Sequence, residues 1–179
     1  MSTQLAQPPP QQDRGLAERS PTARTAENAQ VVSFRLSNEE YGLDITRVQE
    51  IILMGQITEI PEVPDYICGL CNLRGTVIPI VDLRRRFGLA TADATEQTRI
   101  IVVNARDHTF GIVVDGVSEV LRLDPDQIEP PPTGLLGLDQ VYIKGLVKMR
   151  DKIMILLNLE GILGHDDQAN LTGTVAATA

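Results

Sequence analysis

The sequence is poor in aromatic residues and cysteine, and each of these two shortages excludes a class of function. Its 179 residues include no tryptophan, three tyrosines, three phenylalanines, two cysteines and two histidines. So few aromatic rings offer little surface on which nucleic-acid bases could stack. Two cysteines do not make the disulfide framework of a small secreted domain. We therefore expect a protein of a reducing compartment that does not bind nucleic acid.

The sequence also lacks a long apolar run and an excess of positive charge. No apolar stretch approaches the roughly 20 residues of a membrane-spanning helix, and residues 1–20 lack the pattern of a secretory signal. The formal net charge is −8, whereas nucleic-acid-binding proteins concentrate positive charge. These features predict a cytoplasmic protein without direct membrane insertion.

The hydrophobic residues, 42% of the chain, are sufficient for a real core. Residues 1–30 contain three consecutive prolines, Pro8 to Pro10, and no periodic pattern, so we predict a disordered N-terminal tail. Residues 166–179 also lack a pattern and are predicted to form a flexible tail. The folded part is therefore expected to span residues 31–165.

Short β-type runs separated by Gly, Pro, Asn and Asp fill this folded part, a pattern typical of an all-β sandwich or barrel. In the first run, Val32, Phe34 and Leu36 alternate with polar residues, which is the period of a half-buried strand. Only the stretch after Asp82 indicates a helix, which should end at a Gly88 cap. The predicted strands are 31–36, 41–45, 48–52, 77–81, 99–103, 110–114, 117–121 and 153–157.

An internal repeat is the most informative feature of the sequence. A shift of 69 residues aligns Tyr41-Gly42-Leu43 with Phe110-Gly111-Ile112, and Glu50 with Glu119. A shift of 76 residues aligns Tyr66-Ile67-x-Gly69-Leu70 with Tyr142-Ile143-x-Gly145-Leu146, and the match continues to Phe87 and Leu163. An insertion of about seven residues near Gly134 to Gln140 reconciles the two shifts.

The repeat predicts two homologous units, residues 31–95 and 96–165. Each unit has about five strands, too few for a large sandwich. We therefore expect each unit to curl into a small barrel.

The same residues carry a resemblance to the CheW family that covers almost all of the chain from Val31 to Leu163. The string Asn72-Leu73-Arg74-Gly75, followed by a proline-containing strand, is specific to CheW-like domains. The other matching strings are Val48-Gln49-Glu50-Ile51, Ile60-Pro61, Tyr66-Ile67-x-Gly69-Leu70, Val77-Ile78-Pro79-Ile80-Val81-Asp82-Leu83 and Gly111-Ile112-Val113-Val114-Asp115-Gly116-Val117.

This resemblance implies an all-β fold of two SH3-like five-stranded barrels packed together, with short helices. It implies a chemotaxis adaptor, not an enzyme, with no cofactor or metal. The implied partners are the regulatory domain of the histidine kinase CheA and the cytoplasmic tip of a methyl-accepting chemoreceptor. CheA and CheV-type proteins contain the same domain, but 179 residues leave no room for a kinase or receiver domain, which favours a stand-alone adaptor. The alternatives are a scaffold of a twitching or other non-flagellar sensory array and, further away, a thiol redox protein.

Glu50 and Arg74 are the first candidate site residues, because each interrupts an apolar or glycine-rich string and their charges are opposite. A partly buried charge needs a partner, so we predict an ion pair between them. In the family that the chain resembles, the matching residues are tied to receptor and kinase coupling. The alternative is a purely structural ion pair, or two unrelated surface charges. The repeat carries Glu50 onto Glu119 and Arg74 onto Arg150, which predicts an equivalent second pair.

Four further residues, Val48, Gly69, Ile100 and Val117, match positions that line a receptor-binding groove between the barrels in proteins that this chain resembles. An apolar groove of this kind would accept a helix. The alternative is that Val48, Ile100 and Val117 belong to the core and that Gly69 serves a tight turn.

Several other patterns have simpler interpretations. Cys68 and Cys71 have the C-x-x-C spacing of redox and zinc sites but lack the accompanying ligands or helix, so we interpret them as buried apolar thiols. The basic cluster from Arg84 to Arg86 is interpreted as the exposed face of a short helix. The acidic stretch from Asp124 to Glu129 lacks the spacing of a calcium loop and is interpreted as a solvated turn.

Overall fold

The computed structural model describes residues 28–134 and 140–163. The predicted tail over residues 1–30 lies outside these ranges except for its last three residues, of which Ala29 and Gln30 already belong to the first strand. The predicted C-terminal tail and most of the predicted insertion also lie outside the described residues. Within the described part of the chain, no helix is long and apolar enough to cross a membrane.

The fold is mostly β, as predicted, with eleven strands and two helices of four residues each in the described ranges. Each of the eight predicted runs is a strand, with ends that agree to within two residues. The strands are β1 (Ala29–Leu36), β2 (Glu39–Asp44), β3 (Val48–Leu53), β4 (Ile67–Leu73), β5 (Thr76–Asp82), β6 (Arg99–Ala105), β7 (His108–Val114), β8 (Gly116–Leu123), β9 (Ile128–Glu129), β10 (Ile143–Lys148) and β11 (Ile153–Leu157), and the helices are α1 (Leu83–Arg86) and α2 (Leu159–Ile162).

The predicted helix after Asp82 is α1, and its two ends have identifiable causes. The Asp82 carboxylate accepts a hydrogen bond from the Arg84 N–H at 2.8 Å, which caps the first turn. Gly88 follows the helix with a positive φ of 68°. Its N–H donates to the Arg85 carbonyl at 3.2 Å, so a glycine ends the helix as expected.

The strands form two sheets with equivalent orders. One sheet is β3-β6-β7-β5-β4, and the other is β8-β1-β2-β11-β10 with the two-residue β9 at its edge. A parallel pair occurs at the same place in each sheet, β5 with β7 and β2 with β11. We call residues 48–114, which hold the first sheet, the contiguous barrel, and residues 29–44 with 116–157 the split barrel.

This topology corrects the prediction that residues 31–95 and 96–165 each form one barrel. Each barrel instead takes one hairpin from the other unit: β1–β2 completes the split barrel, and β6–β7 completes the contiguous barrel. In the split barrel, β8 lies two positions from β2 and runs in the same direction, and in the contiguous barrel β3 has the same relation to β7. If each unit formed one barrel, β3 would take the place of β8 beside the β1–β2 hairpin. A connection within one barrel would therefore span the length of a strand, about 20 Å.

The connections are too short for that span. They contain three residues, Ile45–Arg47, between β2 and β3, and one residue, Asp115, between β7 and β8. Three residues reach at most about 14 Å between the flanking Cα atoms. The chain therefore passes directly into the other barrel. The sequence repeat shows which segments resemble each other, but it does not show which strands pair in a sheet.

Three hydrophobic clusters stabilise this arrangement. One fills the split barrel around Val31 and Met154, and a second fills the contiguous barrel around Ile80 and Ile100. The third and largest lies between the two sheets and includes buried residues from both exchanged hairpins. Its hairpin members are Phe34, Leu36, Tyr41, Leu43, Ile101, Val103, Ala105, Phe110, Ile112 and Val114.

Candidate functional site

Glu50 and Arg74 form an ion pair on the surface of the contiguous barrel. The Arg74 Nη2 atom lies 2.6 Å from Oε2 of Glu50. The Arg74 side chain is 78% exposed and that of Glu50 is 26% exposed. Such an exposed pair contributes only about 0–1 kcal/mol to folding. The guanidinium has further N–H donors that face solvent, so this pair suits recognition better than stabilisation.

Two local features of the backbone bring the pair together. Arg74 and Gly75, with φ of 51° and 90°, form the two-residue turn between β4 and β5. Positive φ at both central residues is the geometry of a tight hairpin turn, and the Asn72 side chain accepts the Gly75 N–H at 2.8 Å. In β3, the register with β6 shifts between Val48 and Glu50, a bulge that re-aims the following side chain.

The predicted second pair is wrong. Glu119 and Arg150 are both described, and no ion pair joins them among the described residues. The physical reason lies in the turn between β10 and β11, where neither Arg150 nor Asp151 has a positive φ. Asp151 replaces the glycine at this place, so the turn lacks the two positive φ angles that accompany the Arg74 contact.

A groove of 370 Å³ lies between the barrels, beside the strand that carries Glu50. Ile51 of β3 and Val117 of β8 supply its apolar surface, and Ile51 is 41% exposed. Arg35 and Arg99 supply two guanidinium groups. Both donate to neutral groups, the Gln97 side chain and the carbonyls of residues 96 and 98, and neither pairs with a carboxylate within the described chain. The groove is therefore a cationic surface on an acidic protein.

The four apolar or glycine candidates do not all reach this surface. Val48 and Val117 are half-buried and pack against the core between the sheets. Ile100 is 0% exposed inside the contiguous barrel, so it has no surface to offer a partner, and the core interpretation holds for it. Gly69 is buried with a φ of 141°, and a Cβ atom there would lie 2.1 Å from the Thr58 carbonyl oxygen. Glycine is required at this close approach, so Gly69 shapes the backbone from inside.

The arginine cluster from Arg84 to Arg86 is not one exposed helix face. Arg84 is 14% exposed and forms a two-point ion pair with Asp115, one bond of which joins Nε and Oδ1 at 2.8 Å. The Arg86 guanidinium lies 4.2 Å from the centre of the Tyr66 ring and 5.1 Å from that of Tyr142, a pair of cation–π contacts. Only Arg85 is exposed as predicted.

Sequence reasoning missed the Arg84–Asp115 pair because its members lie 31 residues apart in different repeat units. Asp115 also accepts the Ser37 N–H at 2.7 Å, and Ser37 lies in the turn between β1 and β2. The pair therefore connects the β1–β2 hairpin of the split barrel to helix α1. No local signal in the sequence reveals such a contact.

The cysteines have the character expected of apolar thiols. Cys71 is buried, Cys68 is half-buried, and both pack in the cluster inside the contiguous barrel. Burial raises the pKa of the Cys68 thiol, and the nearby Asp82 carboxylate raises it further. A redox pair requires the opposite shift, because the reactive species is the thiolate.

The acidic stretch that begins at Asp124 contains a short 3₁₀ turn over Pro125–Gln127. Asp124, Asp126 and Glu129 are exposed, as a solvated turn requires. Among the residues that the structure describes, no three His, Cys, Asp or Glu side chains come together in a way that could hold a metal ion.

Comparisons with known proteins agree with this fold. The family model of the CheW-like domain matches residues 30–167. A chemotaxis protein CheW of Klebsiella aerogenes is 41% identical over 155 residues, which cover 87% of this chain and 93% of that protein. The chemotaxis protein CheW of Bacillus subtilis is 32% identical over 145 residues, 81% of this chain and 93% of that protein.

A solved structure, that of the scaffolding protein TtCheW from Thermoanaerobacter tengcongensis, matches with a TM-score of 0.73 and 38% sequence identity. The match covers 78% of this chain and 90% of that chain. Family model, relatives and solved structure all name CheW. The chain therefore belongs to the CheW family of chemotaxis coupling adaptors.

Proposed function

We propose that this protein couples the cytoplasmic tips of chemoreceptors to the regulatory domain of the histidine kinase CheA, so that the state of the receptor controls kinase activity. The chemotaxis names of the relatives favour this role over a scaffold of a twitching or other non-flagellar array. The protein works in the cytoplasm, reaches the membrane only through its partners and transfers no chemical group itself.

The observation that carries the proposal is the exposed Glu50–Arg74 pair, which shares strand β3 with the groove between the barrels. Glu50 and the groove residue Ile51 are neighbours on β3, so the pair and the groove share one strand. An apolar groove with charged edges is a common binding site for an amphipathic helix. We assign the receptor tip to this surface, with Val48 and Val117 at its half-buried edge.

Ile100 and Gly69 affect this surface indirectly. Ile100 pairs with Ile52 of β3 and fixes the position of that strand from inside the barrel. Gly69 lets the loop after β3 approach β4, where Thr58 and Leu70 exchange two hydrogen bonds of 2.8 Å. Substitutions at either residue would disturb receptor binding by moving β3, without any lost contact to the receptor.

The charge of the groove specifies the chemistry of the receptor segment. Arg35 and Arg99 have no carboxylate partner within the described residues, so a receptor helix with acidic side chains beside an apolar stripe would complement them. Coupling then follows from linkage. If the adaptor holds both partners, a difference in affinity between two receptor states biases the kinase by the same free energy.

Charge exchange within the ion pair tests the proposal. Purified protein is titrated with a receptor tip fragment, and its thermal unfolding and its kinase-stimulating activity are measured in parallel. We expect Arg74→Ala to weaken receptor binding about tenfold, which corresponds to about 1.4 kcal/mol, while unfolding hardly changes because surface pairs contribute little. The reversed pair, Glu50→Arg with Arg74→Glu, should restore the internal contact but not receptor binding.

Arg150→Ala is the matched control, because Arg150 occupies the same place in the repeat, is exposed and makes no ion pair among the described residues. It should bind receptor like the unaltered protein. Full receptor binding by the reversed pair would show that Glu50 and Arg74 contact only each other and not the receptor. Failure to form a ternary complex of adaptor, receptor fragment and kinase would contradict the function itself.

A further inference from the structure

A recess of 440 Å³ lies on the contiguous barrel and shares no lining residue with the groove between the barrels. It is bounded by the connection between β3 and β4, by β4 itself and by Arg85 of α1. Half-buried aliphatic side chains form its floor together with the half-buried Cys68 thiol. The apolar lining residues are Ile57, Ile60, Val63, Pro64 and Ile67.

The connection that forms this recess is held in place by backbone hydrogen bonds. Thr58 and Leu70 form an isolated bridge with two bonds of 2.8 Å, and the Ile67 N–H donates to the Pro64 carbonyl at 2.9 Å. A surface that is already ordered loses little conformational entropy on binding. The recess is therefore preformed.

Unpaired negative charge surrounds the recess. Glu59 and Asp65 line it, Glu62 lies between them in the chain, and all three are exposed. None of the three carboxylates forms an ion pair within the described residues. Arg85, the one cation in the lining, is already engaged by the Asp82 carboxylate and by the carbonyl of Asp65.

The repeat shows that the fold does not need these carboxylates. The shift of 69 residues carries Glu59 onto Ile128, Glu62 onto Pro131 and Asp65 onto Gly134. The corresponding connection of the split barrel is thus uncharged at all three places, although it follows an equivalent strand. That connection carries its carboxylates at other places, Asp126 and Glu129, and Glu129 is paired with Lys148 at 2.7 Å. Three unpaired carboxylates at the places of Glu59, Glu62 and Asp65 are therefore particular to the contiguous barrel.

We propose that this recess docks a basic segment of a partner protein, in which an aliphatic side chain is flanked by Lys or Arg residues. The aliphatic side chain enters the apolar floor, and the flanking cations meet Glu59, Glu62 and Asp65. Charge complementarity selects this occupant, because the groove between the barrels carries the opposite sign and suits an acidic segment. The two surfaces therefore bind partners of opposite charge.

Three synthetic ten-residue peptides test the proposal on the full-length protein. The first contains Leu residues flanked by Arg, the second replaces Arg by Glu, and the third replaces Leu by Ser. Methyl chemical shifts of Ile57, Ile60 and Val63 report where a peptide binds. The rate at which a thiol reagent modifies Cys68 reports whether the recess is occupied.

The first peptide should bind at least tenfold more tightly than the other two, shift these methyl resonances and slow the modification of Cys68. The double variant Glu59→Lys with Asp65→Lys should bind it at least tenfold more weakly. The matched control, Asp126→Lys with Glu129→Lys on the corresponding connection of the split barrel, should bind it unchanged. Circular dichroism establishes that both variants are folded.

Equal binding of the acidic peptide, shifts confined to another surface, or no binding up to millimolar peptide would each overturn the proposal. Equal binding of the peptide that lacks Leu would reduce the interaction to nonspecific charge attraction and would also overturn it. The rate of Cys68 modification in the unaltered protein, with and without the first peptide, tests the proposal even if a charge-reversed variant does not fold.

Discussion

At the scale of single residues, Glu40 is a carboxylate held inside the split barrel. It is 6% exposed, and its Oε2 atom accepts a hydrogen bond from Lys152 at 2.9 Å. Burial alone would raise the pKa of Glu40, but hydrogen bonds from Lys152, Ser118 and Ser33, with the Lys152 charge, outweigh it and lower the pKa below its usual value. The folded protein therefore holds this group ionised more strongly than the unfolded chain does.

This lowered pKa predicts an acid-dependent loss of stability. A carboxyl whose pKa is lower in the folded state stabilises the fold above its unfolded pKa, near 4.3, and loses that contribution as pH falls through the folded value. We expect Glu40→Gln to flatten the pH dependence of the free energy of unfolding below about pH 4.3. Urea unfolding at a series of pH values measures the difference.

Glu119→Gln serves as the control for this prediction, since Glu119 is exposed and makes no ion pair among the described residues. It should leave the acid limb of the stability curve unchanged. If Glu40→Gln and Glu119→Gln gave the same curve, the contacts of Glu40 with Lys152 and the two serines would contribute nothing to stability.

At the scale of elements, the connection from β3 to β4 depends on one glycine. Gly69 combines a φ of 141° with a backbone carbonyl 2.1 Å from the place of a Cβ atom, so Gly69→Ala adds both backbone strain and a clash. We expect it to reduce the free energy of unfolding by at least about 2 kcal/mol. Gly55→Ala, with nothing within 4 Å of its Cβ position, should change little.

Thermal and urea unfolding of both variants measure this prediction. Receptor binding by Gly69→Ala should weaken together with stability, because the displaced connection moves β3. Normal stability of Gly69→Ala would mean that the connection relaxes freely, and the assigned role of Gly69 would be wrong.

The strands that the sequence revealed are those with a regular pattern. In β1, the apolar residues Val32, Phe34 and Leu36 alternate with polar ones and are buried. Strands β4 and β10 escaped prediction because Gly69 and Gly145 interrupt them at register shifts, and glycine normally argues against a strand. Both strands nevertheless lie inside the aligned repeat. The repeat therefore marked these two segments as equivalent, although their apolar pattern did not predict strands.

The same distinction applies to the candidate site. The Glu50–Arg74 pair lies within one unit, 24 residues apart, and opposite charges in apolar strings were enough to predict it. The Glu40–Lys152 and Arg84–Asp115 pairs join different units, 112 and 31 residues apart, and depend on the exchange of hairpins. Tertiary contacts of this kind have no local signal.

At the scale of the whole molecule, the exchanged hairpins interlock the two barrels. Each hairpin has an inner position in the sheet of the other unit, hydrogen-bonded on both sides. The core between the sheets takes side chains from both hairpins, and a row of rings from Phe34 through Tyr41 and Phe87 to Tyr142 runs through it with centroid distances of 5.4–6.0 Å. Separation of the barrels would expose this core, so an adaptor of this design moves as one body.

A core substitution in one hairpin therefore has a consequence in both barrels. Phe34 is 0% exposed in the core between the sheets, so Phe34→Ala should reduce the free energy of unfolding by about 3–5 kcal/mol. In native-state hydrogen exchange, the slowest amides open only by global unfolding. If the barrels unfold together, the variant accelerates exchange equally at Leu43 in the split barrel and at Ile101 and Ile112 in the contiguous barrel. Retained protection at Ile101 and Ile112 alone would show instead that residues 48–114 unfold separately, and receptor signals would then have an internal hinge through which to pass.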